Sequence, residues 1–359
     1  MSYQWIDTPQ ALVDWLAPVA PGTPLYMDTE FMRERTFWAD LALIQVRQDD
    51  RIALIDAPAI GHAAPLLDLI GDHPLVMHAC SEDLEVLHYF SGVTPQQVQD
   101  TQIAAALAGY DLQPSYQRLV EQIAEQQLPK ETTRSNWLAR PLSEAQIEYA
   151  KGDVLWLPQI YQHLSQRIAE LGRESWWQEE CQRLSDKSLQ QTSPEQMWRQ
   201  VKGVGHLQDG QGLARLQQLA DWREREARQR NLPRSFVLKD AALIQLAERN
   251  PQTQQQLKSL DLPPAVVRRY AGVLLDRLYK GQQQEPLPLL PGPPDKEQKK
   301  TMQRLRKGVQ HLSENLQVVP EVLMRRRWLE QWVRNPEQLP EPLQGWRRSV
   351  VVDPLIPLL

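Results

Sequence analysis

Short apolar runs separated by polar turns dominate the first part of the chain. Residues 25–31, 41–46, 52–55 and 75–78 have the length and composition of β-strands. Residues 65–70 and 83–90 have helical character. This alternation predicts an α/β domain with a mixed sheet flanked by helices.

After residue 143 the pattern is helical throughout. Apolar residues recur at helical spacing at Leu305, Val309, Leu312 and Leu316. Prolines at 286–294 forbid helix, and glycines at 203–212 punctuate otherwise helical sequence. The predicted organisation is an α/β domain at 1–169, a helical connector at 170–208, an all-α domain at 209–284, a Pro-rich linker at 285–295 and a second all-α domain at 296–359.

Length and composition exclude several classes of protein. The 359 residues exceed what one hydrophobic core usually serves. No apolar run approaches the ~20 residues that cross a bilayer, and two cysteines are too few for a disulfide framework. The first residues lack the basic and apolar segments of a secretory signal. We therefore expect a cytoplasmic protein without a membrane partner.

Charge divides the chain into two unlike parts. Residues 1–170 contain 10 Lys and Arg against 23 Asp and Glu, whereas residues 171–359 contain 30 against 22. A basic part suits a polyanion, and clustered carboxylates suit a divalent metal. The pattern favours a metal-dependent nucleic-acid enzyme. The alternative is a difference in charge between the domains that has no functional role.

Two acidic residues share one face of a predicted strand. Asp28 and Glu30 are two positions apart, so their side chains leave the strand roughly 6–7 Å from each other at the backbone. Partial burial would raise both pKa values unless a cation offsets the repulsion. A metal site is one interpretation; a solvated acidic face on an edge strand is the other.

Two predicted helices supply further candidates. Asp83 lies in a first helical turn for which Ser81 is the expected N-cap, a position where an acid is also favoured by the helix dipole alone. Ser143 and Gln146 form a capping box, flanked by the hydrophobic staple of Leu142 and Ile147. In the helix that begins there, Tyr149 and Asp153 are four apart and share a face, either as site residues or as a surface pair.

These residues together resemble a known family. Asp28, Glu30, Asp83, Tyr149 and Asp153 are similar to the three motifs of the DEDD exonuclease superfamily in its tyrosine branch. The surrounding residues 28–46, 78–87 and 137–149 resemble the ribonuclease D family, whose fold is a ribonuclease H-like α/β nuclease domain. Residues 221–224 and 231–238 resemble an HRDC domain, and the last 65 or so residues resemble a second, divergent copy.

The sequence departs from the family pattern at two positions. Cys80 stands where the second motif is expected to have Gly, and Asn136 stands where related sequences often have Asp. Histidine-bearing relatives place a His five residues before the last Asp, and here that residue is Glu148. The tyrosine branch is therefore the one that the chain resembles.

The resemblance implies a 3′-5′ exoribonuclease that hydrolyses 3′-terminal phosphodiesters and releases 5′-mononucleotides. Asp28, Glu30 and Asp153 would hold one divalent ion, and Asp28 and Asp83 would contribute to a second, with the ions about 3.5–4 Å apart. Tyr149 would orient the attacking water, because a phenol with a pKa near ~10 suits hydrogen bonding better than it suits a general base. Mg²⁺ or Mn²⁺ matches such oxygen ligands.

The implied partner is RNA, in particular tRNA precursors with 3′ extensions, in the 3′ maturation of tRNA and other small RNAs. A monomer is expected, and no nucleotide cofactor is predicted, since Gln208 replaces the third glycine of a dinucleotide fingerprint. Tryptophans Trp222, Trp328, Trp332 and Trp346 could stack bases but are more typical of a core. Phosphate contacts are expected from two basic clusters, unless these are only solvated charged faces: Arg223, Arg225, Arg228, Arg230 and Arg234, then Lys299, Lys300, Arg304, Arg306, Lys307, Arg325, Arg326 and Arg327.

Two other functions stay open from the residues alone. A non-catalytic RNA-binding scaffold could carry a relic of the nuclease fold, although the five intact site residues argue against decay. An exonuclease acting on single-stranded DNA would use the same motifs. Recognition of the 2′-hydroxyl is what separates RNA from DNA.

Overall fold

The computed structural model describes residues 2–95, 97–128, 135–190 and 192–359. The chain divides into two compact units. Unit 1 comprises residues 1–32, 41–189 and 293–359, and unit 2 comprises residues 33–40 and 190–292. The short segment 33–40, which connects strands β2 (Leu25–Met32) and β3 (Asp40–Gln48) of unit 1, thus belongs to unit 2.

A six-stranded mixed sheet forms the centre of unit 1. Its spatial order is β1-β4-β3-β2-β5-β6. The pairs β1/β4, β2/β5 and β5/β6 are parallel and β3/β4 is antiparallel, which confirms the predicted mixed sheet. The strands are β1 (Tyr3–Ile6), β2 (Leu25–Met32), β3 (Asp40–Gln48), β4 (Arg51–Asp56), β5 (Leu75–Met77) and β6 (Val98–Asp100).

Nine helices follow or flank these strands within the described part of residues 2–189. Their apolar faces supply buried residues such as Leu66, Leu87 and Ile160, each fully shielded from solvent. The helices are α1 (Pro9–Leu16), α2 (Ala57–Ile60), α3 (Ala64–Asp72), α4 (Ser81–Ser91), α5 (Thr101–Leu107), α6 (Tyr116–Leu119), α7 (Glu144–Leu155), α8 (Leu157–Glu170) and α9 (Glu174–Leu189).

The C-terminal helices share a core with the helices that flank the sheet of unit 1. Leu305 and Trp332 belong to the same buried cluster as Ile160 and Trp177. These helices are α15 (Lys296–Leu316), α16 (Pro320–Leu323), α17 (Arg326–Arg334) and α18 (Asp353–Leu355), and residues 284–295 before them form no helix or strand.

Polar contacts join the C-terminal segment to α9 as well. Trp346 stacks on Trp176 with ring centroids 4.3 Å apart, and its indole N–H donates to Glu180 at 3.0 Å. The sequence predicts a separate domain over 296–359; the structure instead groups this segment with unit 1, because its apolar faces are buried against α5, α8 and α9. Its HRDC-like character stays a prediction.

Unit 2 is a helical bundle around its own core. Gly281 permits the close approach of its two longest helices, since a Cβ there would lie 2.5 Å from the backbone of Arg215. Leu213, Leu243 and Leu274 are fully buried between the helices. The helices are α10 (Gly210–Gln229), α11 (Arg234–Val237), α12 (Asp240–Arg249), α13 (Gln254–Lys258) and α14 (Pro264–Gln283).

Secondary structure after residue 143 agrees with the helical prediction. Within the described residues from 144 onward, the regular elements are α-helices with short 3₁₀ and π-helical turns. Among the described residues, no helix combines the length and the apolar character that a bilayer span requires.

Candidate active site

Strand β2 presents Asp28 and Glu30 on one face. Leu25 and Met27 are fully buried and Thr29 is nearly so, and these alternate with the partly buried acidic residues. Because β2 lies between β3 and β5, the alternative of an edge strand with a solvated face is wrong.

Helix α7 brings a third carboxylate to these two. The Ser143 hydroxyl accepts a hydrogen bond from the Gln146 amide at 3.3 Å, and the Gln146 side chain accepts from the Ser143 amide at 3.0 Å, which confirms the predicted capping box. With the helix start fixed, Asp153 lies three turns along it. Carboxylate oxygens of Asp28, Glu30 and Asp153 all lie within 4.8 Å of one another.

Asp83 lies in the first turn of α4 and is buried. Its Oδ1 accepts a hydrogen bond from the hydroxyl of Thr29, the β2 residue between Asp28 and Glu30. Asp83 is not one of the three carboxylates that share a point within 4.8 Å. The sequence predicts Ser81 as the N-cap of this helix; in the structure the N-cap is Cys80, and Ser81 is the first helical residue.

Burial and mutual repulsion disfavour negative charge at this site. Desolvation raises the pKa of Asp28 well above its usual value, and the charges of Asp153, Asp83 and Glu30 raise it further. Desolvation, with Asp153 and Asp83, raises the pKa of Glu30 to about 9. Desolvation also raises the pKa of Asp83 to about 6, although the bond from Thr29 opposes the shift. The carboxylates therefore need a cation to remain ionised together.

A buried aspartate that the motifs do not include fixes the turn before α4. Asp100 is 2% exposed and accepts hydrogen bonds from the amides of Ala79 at 3.2 Å and Cys80 at 3.0 Å. Ala79 adopts φ +56°, so the sharp turn that leads to Asp83 depends on these bonds. Nothing in the local sequence around Asp83 points to a residue so far along the chain.

The unusual Cys80 is accommodated at this turn. Its φ of −78° is open to any residue, so glycine is not required there. The side chain is fully buried, and its thiol donates to Asp100 at 3.4 Å. Burial, with the nearby charges of Asp100 and Asp83, raises the pKa of the thiol and keeps it neutral.

The loop before α7 supports Tyr149. The Tyr149 ring packs on Trp137 with centroids 5.9 Å apart. Arg140 holds this loop, since its guanidinium donates to both oxygens of Asp56 at 2.6 and 2.9 Å and to the Trp137 carbonyl at 2.7 Å. Asn136 accepts from the Leu138 amide at 3.1 Å, a turn contact that an Asp would also make.

Tyr116 is a second residue near the site that sequence reasoning missed. Its hydroxyl donates to the carbonyl of Gly152 at 3.2 Å and accepts from the amide of Trp156 at 3.1 Å. Burial raises the pKa of this phenol, and the charges of Asp153 and Asp28 add to the effect. The phenol therefore remains a hydrogen-bonding group that fixes the last turn of α7, beside Asp153.

The donor set fits a divalent metal. Among the residues that the structure describes, Asp28, Glu30 and Asp153 are the one group of three or more acidic, histidine or cysteine side chains close enough to share an ion. All are hard oxygen donors, which Mg²⁺ and Mn²⁺ prefer. The raised pKa values of Asp28 and Glu30 are the electrostatic cost that a bound cation would offset.

Most arginines of the first basic cluster form ion pairs with acidic residues of their own unit. Glu224 is 1% exposed and accepts from Arg228 at 2.8 Å and from Arg234 at 2.9 Å. Arg223 is buried and pairs with Asp240 at 2.6 Å. Arg225 and Arg230 pair with acidic residues one turn earlier on α10. The arginines of this cluster thus stabilise the bundle rather than form a free cationic face.

The second basic cluster is exposed, and the tryptophans belong to cores. Lys299, Lys300 and Arg306 lie on the solvent side of α15. Trp222, Trp332 and Trp346 are 6% exposed or less, which confirms that they are core residues. The remaining exposed cations of this cluster are Arg304, Lys307, Arg325, Arg326 and Arg327.

Known proteins define the class to which this fold and site belong. Residues 3–169 match the 3′-5′ exonuclease domain family, and residues 212–278 match the HRDC domain. The HRDC match does not extend to residues 296–359, so two HRDC domains are not confirmed. The protein is thus a DEDD-type exonuclease domain followed by an HRDC domain.

Full-length relatives narrow the class to one family. Ribonuclease D of Pseudomonas paraeruginosa is 36% identical over 96% of this chain and 94% of its own length. Ribonuclease D of Escherichia coli is 34% identical over 100% of this chain and 99% of its own length. The crystal structure of Escherichia coli RNase D matches with a TM-score of 0.92 at 33% identity, covering 100% of this chain and 99% of that one. The chain belongs to the ribonuclease D family.

Proposed function

We propose that this protein is a metal-dependent 3′-5′ exoribonuclease that trims the 3′ ends of tRNA precursors and other small RNAs. The observation that carries the proposal is the meeting of the Asp28, Glu30 and Asp153 carboxylates within 4.8 Å in a ribonuclease D-family fold. Hydrolysis of the 3′-terminal phosphodiester consumes one water and leaves a 5′-mononucleotide and a shortened RNA with a free 3′-hydroxyl.

The five motif residues have distinct roles in this proposal. Asp28, Glu30 and Asp153 hold one divalent ion, and Asp28 with Asp83 contributes to a second. Bound Mg²⁺ or Mn²⁺ supplies Lewis acidity for the attacking water and for the leaving oxygen. Thr29 keeps Asp83 in position through its hydroxyl, and Tyr149, supported by Trp137, hydrogen-bonds and orients the attacking water.

Digestion of a tRNA with a short 3′ extension tests the proposal. The RNA is labelled at its 5′ end and resolved at single-nucleotide resolution, with Mg²⁺, Mn²⁺ or EDTA. The wild type is compared with Asp28→Asn and with Asp68→Asn, which changes an exposed carboxylate on α3. We expect stepwise 3′ shortening that requires metal, falls at least about a thousandfold in Asp28→Asn and persists in Asp68→Asn.

The other outcomes identify the rival functions. RNA that stays intact with every metal while binding the protein would contradict the proposal and favour a non-catalytic scaffold. Faster shortening of a single-stranded DNA of the same sequence would favour the DNA exonuclease. We also propose that the protein acts as a monomer in the cytoplasm, which light scattering and cell fractionation would check.

A further inference from the structure

Unit 2 contains a cavity of about 590 Å³ that the exonuclease motifs do not involve. Segment 33–40 lines one part of it, and the HRDC domain with the residues before it lines the rest. We call it the Phe37 cavity; its lining includes Thr36, Phe37, Arg223, Arg234, Lys239 and Asp240. Its volume falls in the 300–1,000 Å³ range of ligand sites.

The wall of this cavity is held rigidly. Phe37 and Trp38 donate their backbone amides to Oδ1 of Asn231, each at 3.0 Å. The guanidinium groups of Arg234 and Arg228 lie 4.7 and 5.7 Å from the centre of the Phe37 ring. Segment 33–40 is therefore fastened to the HRDC domain by both its backbone and its aromatic side chain.

Two buried polar atoms of the lining residues have no hydrogen-bond partner. They are the Thr36 hydroxyl and Nε of Arg223, neither of which finds an acceptor or donor within the described chain. Arg223 is 4% exposed, and its other contacts, to the Leu238 carbonyl at 3.0 Å and to Asp240, use Nη1. Leaving a buried donor unpaired costs about 1–3 kcal/mol, and an acceptor oxygen that reached these atoms would remove that cost.

The charge of the lining favours an anion. Of the four lining cations, Arg223 pairs with Asp240 and Arg234 pairs with the buried Glu224, so the charge open to an anion is that of Lys239. Asp240 is neutralised by Arg223. Lys239 is exposed and has no ion pair within the described residues. One residue beyond the lining Ser235, Phe236 is 57% exposed, an unusual position for a phenylalanine and one that suits contact with a base.

We propose that the Phe37 cavity binds a phosphodiester group of single-stranded RNA. The exposed Lys239 and the two unpaired donors among the lining residues match the oxygens of one phosphate. Arg33, which lines the cavity, is the residue directly after β2, the strand that carries Asp28 and Glu30. The inference rests on the proposed function, since it assigns a further contact to the same substrate.

Binding of a fluorescent single-stranded RNA, measured by anisotropy, tests the inference without hydrolysis. All variants are made in the full-length Asp28→Asn chain and titrated at several KCl concentrations. Lys239→Gln removes the unpaired cation, and Thr36→Val removes the hydroxyl with little change in volume. The controls are Lys258→Gln, an exposed lysine on α13 of the same unit, and Thr36→Ser, which keeps the hydroxyl.

The expected results are specific to the cavity. Lys239→Gln should weaken binding about threefold to tenfold and lower the salt slope by about 0.7, the value for one phosphate contact on a single strand. Thr36→Val should weaken binding about threefold, while Thr36→Ser and Lys258→Gln bind like the parent. Parental affinity in both Lys239→Gln and Thr36→Val overturns the inference, as does equal loss in Thr36→Val and Thr36→Ser.

The two proposals fail separately. If the wild type trims RNA but the cavity variants bind normally, the cavity inference alone is wrong. If the cavity variants lose affinity for RNA that the wild type never shortens, the exonuclease proposal is wrong and the cavity remains an RNA contact.

Discussion

Oδ1 of Asn231 accepts the backbone amide of Phe37 at 3.0 Å, across 194 residues of sequence. The same oxygen accepts the amide of Trp38. These bonds fix a connection between two strands of the nuclease sheet to a turn of the HRDC domain. The HRDC domain is thus part of what orders the segment that follows β2, the strand of Asp28 and Glu30.

Hydrogen exchange of the Phe37 and Trp38 amides can measure how strongly Asn231 holds this segment. We expect Asn231→Gly to speed exchange of the Phe37 and Trp38 amides about fivefold, because each bond contributes about 1 kcal/mol. Glycine suits the φ of +47° at this position, so the change removes the acceptor without straining the backbone. Asn231→Asp retains an acceptor oxygen and should protect the amides like the wild type. Unchanged exchange in the glycine variant would show that other contacts hold the segment.

The parts of the site that follow local rules could be predicted from sequence. Alternation along a strand puts Asp28 and Glu30 on one face, and a capping box fixes the phase of the helix with Tyr149 and Asp153. Their meeting point could not be derived this way, because periodicity gives a direction but no distance between elements. Only the family resemblance linked positions 125 residues apart.

The wrong prediction of the N-cap of α4 shows that local sequence rules cannot predict a helix start that a tertiary contact determines. Serine is a favoured N-cap, so Ser81 was the natural choice. Asp100, twenty residues further along, binds the amides of Ala79 and Cys80 and moves the helix start by one residue. A tertiary contact of this kind leaves no signal in the neighbouring sequence.

The ion pairs of the first basic cluster could be predicted in part from the spacing of its residues. Asp221, Glu224 and Glu226 each lie four positions before an arginine of α10 or of its C-cap, the spacing that favours ion pairs on one helix. The pairing of Arg225, Arg228 and Arg230 therefore follows from spacing. The burial of Arg223 and Glu224 does not follow from spacing, because it depends on packing against helices that lie further along the sequence.

Arg140 is predicted to act through structure rather than through RNA contact. Arg140→Ala removes the paired bonds to Asp56 and the bond to the Trp137 carbonyl, so Tyr149 loses its support. We expect unfolding stability to fall by about 2–3 kcal/mol and the hydrolysis rate to fall with it. The salt slope of RNA binding should stay the same as in the wild type, measured by anisotropy. A slope reduced by about 0.7 would instead identify Arg140 as a phosphate contact.

Glu30 should destabilise the metal-free protein as pH rises. Its pKa is about 9 in the fold against 4.5 in the unfolded chain, so the folded state holds the extra proton between these values. Stability conferred by the protonated group is therefore lost progressively from about pH 4.5 to about pH 9. Replacing Glu30 by glutamine removes this loss.

Thermal unfolding in EDTA tests whether Glu30 lowers the stability of the metal-free protein as pH rises. Glu30→Gln should melt about 2–4 °C above the wild type at pH 8.5, with a smaller difference at pH 6. Asp68→Asn, at an exposed position on α3, should melt like the wild type at both values. Adding Mn²⁺ should stabilise the wild type more than Glu30→Gln, since a ligand oxygen is lost. A lower melting temperature for Glu30→Gln at pH 8.5 would contradict the raised pKa.

The two basic clusters should contribute differently to RNA binding. Lys299 and Arg306 lie seven residues apart on α15, line one groove with Arg326, and have no ion pair within the described chain. Arg225 is similarly exposed but pairs with Asp221 and Glu195. A cation already paired within the protein has less to gain from a phosphate, because the internal pair must first be broken.

Salt titrations of RNA binding distinguish the clusters. The double change Lys299→Gln with Arg306→Gln should lower the salt slope by about 1.4, corresponding to two phosphate contacts on a single strand. Arg225→Gln should leave the slope unchanged, although it removes the same kind of charge from the surface. Because the double variant removes two charges and Arg225→Gln removes one, a slope that falls by about 0.7 in Arg225→Gln would mean that the whole basic surface acts as a diffuse field. A loss confined to α15 would instead place the phosphate contacts on the C-terminal helices.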